Sequence, residues 1–307
     1  MKYNFDIQQS IVILKQKGHG SREIAEYLEI SKSGVNECYN KYLEKQHKVT
    51  NGPRILFFDL ETSAALVYCF GRHKQFISQD AVKVEGGKLL CAGYRWLDEQ
   101  KTTVLFNKSE VKQGEDFLIC QMLWDLFSKA DVVVAHNAKN FDVKMLEVRC
   151  LANGLPPLPT VKVVDTLEIA RAKFRFSSSK LDSLGAYLGI GRKVVHTGID
   201  LWVKVQEGDG QALDDMVEYC EQDVDLLYEV FMCLRNRGLV TGINFATYYN
   251  DDVTRCKVCG SDDVELTGRK ITTGTGVFDE VECNHCGSLQ KTKTNKLSTH
   301  KRKKLLG

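Results

Sequence analysis

No run of apolar residues in this 307-residue sequence approaches the roughly 18 needed to cross a bilayer, and the opening Met1-Lys2-Tyr3-Asn4 leads into no signal-like apolar stretch. Neither a membrane span nor export is expected, and the reading is of a soluble protein of the cytoplasm. Charge of one sign is also scarce, with 42 Lys and Arg against 40 Asp and Glu. The distribution says more than the sum. Residues 1–50 carry eight bases against six acids, residues 251–307 carry eleven against eight, and residues 51–250 hold 23 bases and 26 acids. An acidic centre between basic flanks fits an acidic catalytic core whose neighbours hold a polyanion. The eleven cysteines are an odd set, seven of them scattered singly, which is the usage of a reduced chain.

What is present centres on Ile55-Leu56-Phe57-Phe58-Asp59-Leu60-Glu61-Thr62. Four apolar residues in a row read as a buried strand. Asp59 and Glu61 are two apart, so both side chains leave one face, roughly 6 to 7 Å apart along the backbone. Two carboxylates at the end of an apolar strand repel each other and resist desolvation unless a cation lies between them, and a divalent metal is the usual answer.

Around that strand the chain divides into 1–50, 54–240, 251–290 and 291–307. In the first segment, residues 6–16 have helical spacing, Ser21 caps a second helix, and Ser31 opens a third through Val35, Tyr39 and Leu43. Three short helices with tight turns resemble a helix-turn-helix, which implies duplex DNA as a partner, with the helix from about Ser33 to Lys45 offered to the major groove. Residues 46–53 read as a linker. Beyond β-type residues 55–62, residues 63–87 read as irregular, 88–96 and 101–106 as strands, 117–130 as a helix, 131–135 as a strand, 143–153 as a helix, and 162–164 as a strand leading into a helix at Asp165-Thr166. Meandering strands followed by alternating strands and helices give a mixed α/β class, and the simplest architecture is a ribonuclease H-like sheet with flanking helices, joined to a small all-α N-terminal module and a small C-terminal module.

His136-Asn137-Ala138-Lys139-Asn140-Phe141-Asp142 follows the 131–135 strand, where sites collect at the carboxyl ends of strands. Within a helical stretch from about Gln211 to Arg237, Tyr219 and Asp223 are four apart and share a face. Taken in order, Asp59-Leu60-Glu61-Thr62, His136-Asn137 through Phe141-Asp142, and Tyr219-x-x-x-Asp223 resemble the three motifs of the DEDD 3′-5′ exonucleases. The tyrosine marks the DEDDy branch, and the likeness over residues 54–236 is to the proofreading domains of family B DNA polymerases and related stand-alone phage and bacterial proteins. The resemblance implies two Mg²⁺ or Mn²⁺ ions held by Asp59, Glu61, Asp142 and Asp223, with Tyr219 orienting or helping to deprotonate the attacking water. It also implies that Leu60, Thr62, His136, Asn137 and Phe141 line the pocket for the terminal nucleotides of a single-stranded or 3′-ended nucleic acid, DNA rather than RNA, and that replication or repair proteins are partners. His196 is set aside, because Tyr219-x-x-x-Asp223 fills the position that a histidine takes in the other branch. Phe174 to Leu181 interleaves aromatics, bases and hydroxyls, which fits either a single-strand contact or a solvated helix cap.

Cys256-Lys257-Val258-Cys259-Gly260 and Cys283-Asn284-His285-Cys286-Gly287 are two C-x-x-C-G knuckles, a set of four thiolates suited to one structural Zn²⁺ and resembling a zinc ribbon that folds as its own module. Residues 291–307 contain seven Lys or Arg and no acid, and are expected to be a disordered arm that meets phosphates. Two other readings compete. A transposase or integrase also combines such modules, but its triad does not call for D-x-E with Y-x-x-x-D. A non-catalytic DNA-binding regulator has no need of all four carboxylates.

Overall fold

The computed structural model describes residues 7, 10–11, 14–15, 19–47, 52–71, 73, 76–193 and 197–304. The chain forms two compact units, residues 1–52 and 53–307. Most of the helix expected at 6–16, part of the 46–53 linker, and His196 lie outside the described residues.

In the first unit, α1 (Ser21–Tyr27) and α2 (Lys32–His47) pack through Ile24 and Val35, with Ile11 completing a small core. Ser31 caps α2 as expected, its hydroxyl accepting from the Gly34 amide at 3.1 Å. Ser21 does not cap α1. Gly20 holds that position, and the Glu23 carboxylate reaches back to the Gly20 amide, while the Ser21 hydroxyl donates to Asn36 at 2.6 Å and so ties the two helices together.

The second unit is built on a five-stranded sheet of β1 (Ile55–Thr62), β4 (Leu89–Trp96), β5 (Thr103–Phe106), β6 (Val132–Ala135) and β7 (Lys162–Asp165), in the order β5-β4-β1-β6-β7. Only β4 runs against the rest: it pairs antiparallel with β1 and β5, whereas β1, β6 and β7 pair parallel. This is the mixed, mostly parallel sheet of the expected fold. The helices are α3 (Lys108–Gln113), α4 (Phe117–Lys129), α5 (Asp142–Ala152), α6 (Thr166–Lys173), α7 (Leu181–Leu188), α8 (Ile199–Gln206) and α9 (Gly210–Arg235). Covering both faces explains why β1 and β6 are apolar without alternation. Phe57 meets Tyr228 and Phe231 of α9 edge-on, each with ring centroids 5.1 Å apart, while Phe58 on the other face meets Phe127 of α4. Odd-numbered residues of β1 therefore face α9, and even-numbered ones face α4.

That alternation is what aims Asp59 and Glu61. Helix α9 contacts both β1 and β4. Phe231 lies level with Phe57, so residues 8 to 12 positions earlier in the helix, some 12 to 18 Å back, come level with residues two to four positions later in the strand. Gly93, the ladder partner of Asp59, permits the close approach: a Cβ there would lie 2.7 Å from Val224 Cγ2 and 3.1 Å from the Cys220 carbonyl.

Residues 63–87 are not simply irregular. They contain a short ribbon, β2 (Leu66–Val67) paired with β3 (Val82–Val84), too brief for a period-two pattern to mark it. At the C-terminus, β8 (Val264–Thr273), β9 (Gly276–Cys283) and β10 (Leu289–Lys291) form a separate antiparallel sheet in the order β10-β9-β8. This module sits on the end of α9, where Arg235 donates to the Cys259 carbonyl at 2.7 Å, the Phe245 amide donates to the Lys257 carbonyl at 2.7 Å, and Gly238 closes against Ser288. Leu234, Val240, Phe245 and the four cysteines belong to one buried cluster, so the module shares the core of the larger unit. Residues 291–304 also differ from the expected arm. Lys291 ends β10, Lys296 pairs with Asp279 at 2.6 Å, Asn295 bonds the Val277 amide, and Thr299–Arg302 form the short helix α10. Acids on β9 supply the neutralising partners that residues 291–307 lack among themselves.

Candidate active site

Carboxylate oxygens of Asp59, Glu61 and Asp223 lie within 4.8 Å of one another, with Glu61 and Asp223 buried and Asp59 partly so. Such a set is costly without a cation. Burial, then the neighbouring Asp223 charge, pushes Asp59 up to about 7, and burial together with Asp59 and Asp223 pushes Glu61 up to about 9. Asp142, the first residue of α5, is buried at 2 % exposure and stands outside the tight triad. Burial and the Asp59 charge raise its carboxyl as well. Hard oxygen donors grouped this closely suit Mg²⁺ or Mn²⁺, whose charge would offset the repulsion that the apo site carries.

Two residues that the sequence reading left out complete the site. The Lys193 ammonium lies 2.5 Å from Asp223 Oδ2 and donates to Tyr219 Oη at 3.1 Å. Trp202 of α8 donates its indole N–H to Glu61 Oε2 at 3.2 Å and stands edge-on to the Tyr219 ring, centroids 5.9 Å apart. Burial and the Asp223 charge raise the Tyr219 phenol, so it stays protonated at any ordinary pH. The signal for Trp202 was a lone large aromatic within an amphipathic octet. Lys193 had no signal, since one lysine in a polar loop is unremarkable.

The loop after β6 is held by Asp165. Its carboxylate accepts from the amides of Asn137 at 2.9 Å, Lys139 at 3.3 Å and Leu167 at 3.0 Å, so one side chain caps α6 and shapes the turn. Asn137 takes a positive φ of 74° within it. Both ring nitrogens of His136 are engaged, with the Thr166 hydroxyl at 2.9 Å and the Ser179 carbonyl at 3.0 Å, and burial lowers its pKa to about 4. It is a neutral cross-brace between β6 and the start of α7. Leu60 is 4 % exposed in the main core, on the face of β1 opposite the carboxylates, whereas Phe141 is 38 % exposed beside Asp142. Phe174, Phe176 and Tyr187 pack on one another, with Phe174–Phe176 centroids 5.0 Å apart, and Lys180 caps α7.

The four cysteine sulfurs form the second cluster. Cys256 and Cys286 are 3.6 Å apart, as are Cys259 and Cys283, and all four lie within 4.8 Å of one another. A tetrahedral ion with sulfurs at ~2.3 Å spaces them roughly 3.8 Å apart, so the set fits zinc. Each knuckle turns in the same way: Gly260 and Gly287 have φ of 79° and 66°, and each donates its amide to the first cysteine carbonyl of its pair at 2.8 Å. A side chain at either position would be strained.

No helix among the described residues is long and apolar enough to cross a membrane. No curated protein matches the sequence. Among solved structures, the family B DNA polymerase of the hyperthermophilic archaeon Pyrobaculum calidifontis is similar at 16 % identity and a TM-score of 0.44, over 61 % of this chain and 25 % of the polymerase. This chain thus spans about a quarter of that protein's length. Residues 80–234 match the profile of the RNase_H superfamily, a range that holds Asp142, Tyr219 and Asp223 but begins after β1, and it is the sheet that adds Asp59 and Glu61. With slightly more than half of the chain matched and the strand order of that architecture, the protein belongs to the RNase H superfamily.

Proposed function

We propose that the protein is a metal-dependent 3′-5′ exonuclease that hydrolyses nucleic acid, DNA in preference to RNA, to nucleoside monophosphates. The observation that carries this reading is the convergence of Asp59, Glu61 and Asp223 within 4.8 Å, with Asp142 alongside and Tyr219 one helical turn from Asp223. Superfamily membership supports nuclease-type chemistry, and the order of the three motifs supports the DEDDy type. Asp59, Glu61, Asp142 and Asp223 would hold two Mg²⁺ or Mn²⁺ ions, which when bound supply charge stabilisation to the attacking and leaving oxygens of an in-line displacement. Tyr219, protonated, orients the attacking water through Oη and is not its base. Lys193 fixes that hydroxyl and carries positive charge beside Asp223. Trp202 holds the Glu61 carboxylate. Phe141, Asn137 and Thr62 line the approach of the terminal nucleotides. The cysteine cluster holds a structural Zn²⁺, and the N-terminal helices engage duplex DNA.

End-labelled DNA and RNA strands of one sequence, incubated with Mg²⁺, with Mn²⁺ and without either, test the reading. The expected outcome is stepwise shortening from the 3′ end only with metal, abolished in Asp59→Ala and Asp223→Ala proteins that retain their circular dichroism. Full activity in either variant would overturn the assignment.

A further inference from the structure

The β2–β3 ribbon projects from the end of β1, directly after the catalytic strand, and its outer part is aromatic and uncovered. Tyr68 is 71 % exposed and Phe76 94 %, and Phe70 is fully exposed. Large rings are seldom left in water without use, least of all three within nine residues. Their company is basic: residues 66–77 include Arg72, His73 and Lys74 and contain no acid.

The root of the ribbon is firmly held. The amides of Ser63 and Gly87 bond the carbonyls of Lys88 and Ser63 at 2.7 and 2.8 Å, and the Gln206 side chain of α8 bonds both the amide and the carbonyl of Ala64, at 2.9 and 3.0 Å. Gly86 lies so close to Ala65 that a Cβ would sit 2.6 Å from its nitrogen. The same root forms one wall of an open cleft of about 270 Å³, in which Gly86 and Gly87 face Asn140, Phe141, Lys144 and Met145. The cleft therefore runs from the loop that carries Asp142 to the base of the aromatic ribbon.

We propose that this ribbon is a stacking platform for a single nucleic-acid strand, receiving bases that lie behind the 3′-terminal nucleotides in the site. The inference rests on the exonuclease reading for its direction, and on the ribbon's own side chains for its ligand. Exposed rings interleaved with bases and free of acids match alternating bases and phosphates: each ring offers a face to a base, Arg72 and Lys74 offer charge to the backbone, and Lys144 continues that charge along the cleft. A partner protein with an apolar face would be better met by aliphatic side chains, and an acid-free basic run adds nothing to such a contact. Stacking is tolerant of sequence, which suits an enzyme that must accept every base in turn.

The test measures binding without turnover, by fluorescence anisotropy in the absence of added Mg²⁺, of strands of about four and about twenty nucleotides, spanning the usual site sizes. The Phe70→Ser/Phe76→Ser protein is expected to bind the longer strand about ten-fold or more weakly than the wild type, with a smaller loss for the shorter one. Cys69, exposed between Tyr68 and Phe70, provides a readout in the unaltered chain: the longer strand should slow its modification by a maleimide, followed by mass spectrometry. Equal affinity of both proteins for the longer strand, or unslowed Cys69 modification at saturating strand, would overturn the platform. So would a wild-type dimer that the double substitution dissociates while strand affinity stays the same. If the wild type shortens no strand at all yet the affinity loss and Cys69 protection are found, the platform stands and the exonuclease reading falls.

Discussion

Tyr219 lies between Trp202 and Lys193 with its phenol raised by burial and by Asp223, which assigns it an orienting rather than a basic role. Tyr219→Phe keeps the ring packing and removes only the hydroxyl. It is expected to bind metal and strand as the wild type does while kcat falls roughly ten-fold to a thousand-fold, and no limb of the pH profile should belong to the phenol. Single-turnover assays across pH check both points, and an unchanged kcat beside an inactive Asp223→Ala control would remove the DEDDy assignment. The carboxylates make a separate prediction. Unfolded, Asp and Glu titrate near ~4; folded, Asp59 and Glu61 titrate at about 7 and about 9. Between those limits the folded protein holds more protons than the unfolded chain, so the stability contributed by the protonated groups is present at low pH and lost as pH rises through 7 and 9. Thermal melts without added Mg²⁺ should therefore fall in Tm from about pH 6 to pH 9, with Asp59→Asn showing a shallower decline and Mg²⁺ restoring the wild type most at the alkaline end, where no proton has to be displaced. A slope indifferent to both the substitution and the metal would contradict the repulsion described for the site.

At the scale of elements, the site depends on how closely α9 lies on the sheet. Gly93 sits opposite Asp59 with no room for a side chain against Val224 and the α9 backbone. Gly93→Val should push the helix outward, costing about 1 to 3 kcal/mol as an overpacked core and weakening Mg²⁺ binding, because Asp223 withdraws from Asp59 and Glu61. Denaturant unfolding and a metal titration measure the two effects, and a variant of wild-type stability and metal affinity would show that the close approach is not needed. The strand and helix carrying the motifs were legible, since periods of 2 and 3.6 state which residues share a face. Nothing local in the sequence marked Gly93 as the contact point, and the short α3, α7 and α8 were not anticipated, because six to eight residues give periodicity little length in which to show. Leu60 illustrates the same limit from the other side. It stands inside the first motif yet lies buried on the opposite face of β1.

Over the whole molecule, the cysteine module and the catalytic sheet share one core through Leu234, Val240 and Phe245. Removing zinc is therefore expected to lower the stability of residues 53–307 as a body, and not to release a separate small domain. Differential scanning calorimetry before and after chelation checks this: one transition that moves down in temperature is expected, and an unmoved main transition beside the loss of a minor one would contradict it. The sequence by itself determined the chemistry, because D-x-E, Y-x-x-x-D and paired C-x-x-C-G are local patterns whose spacing sets a face or a turn. The tertiary structure decided which groups complete the site. Lys193 and Trp202 reach the carboxylates from a loop and a helix more than 130 positions away from Asp59, a proximity that only packing creates. It also decided where the ribbon stands and that the C-terminal module is joined to the core, since such distances are set by how faces pack and not by the periodicities that create the faces.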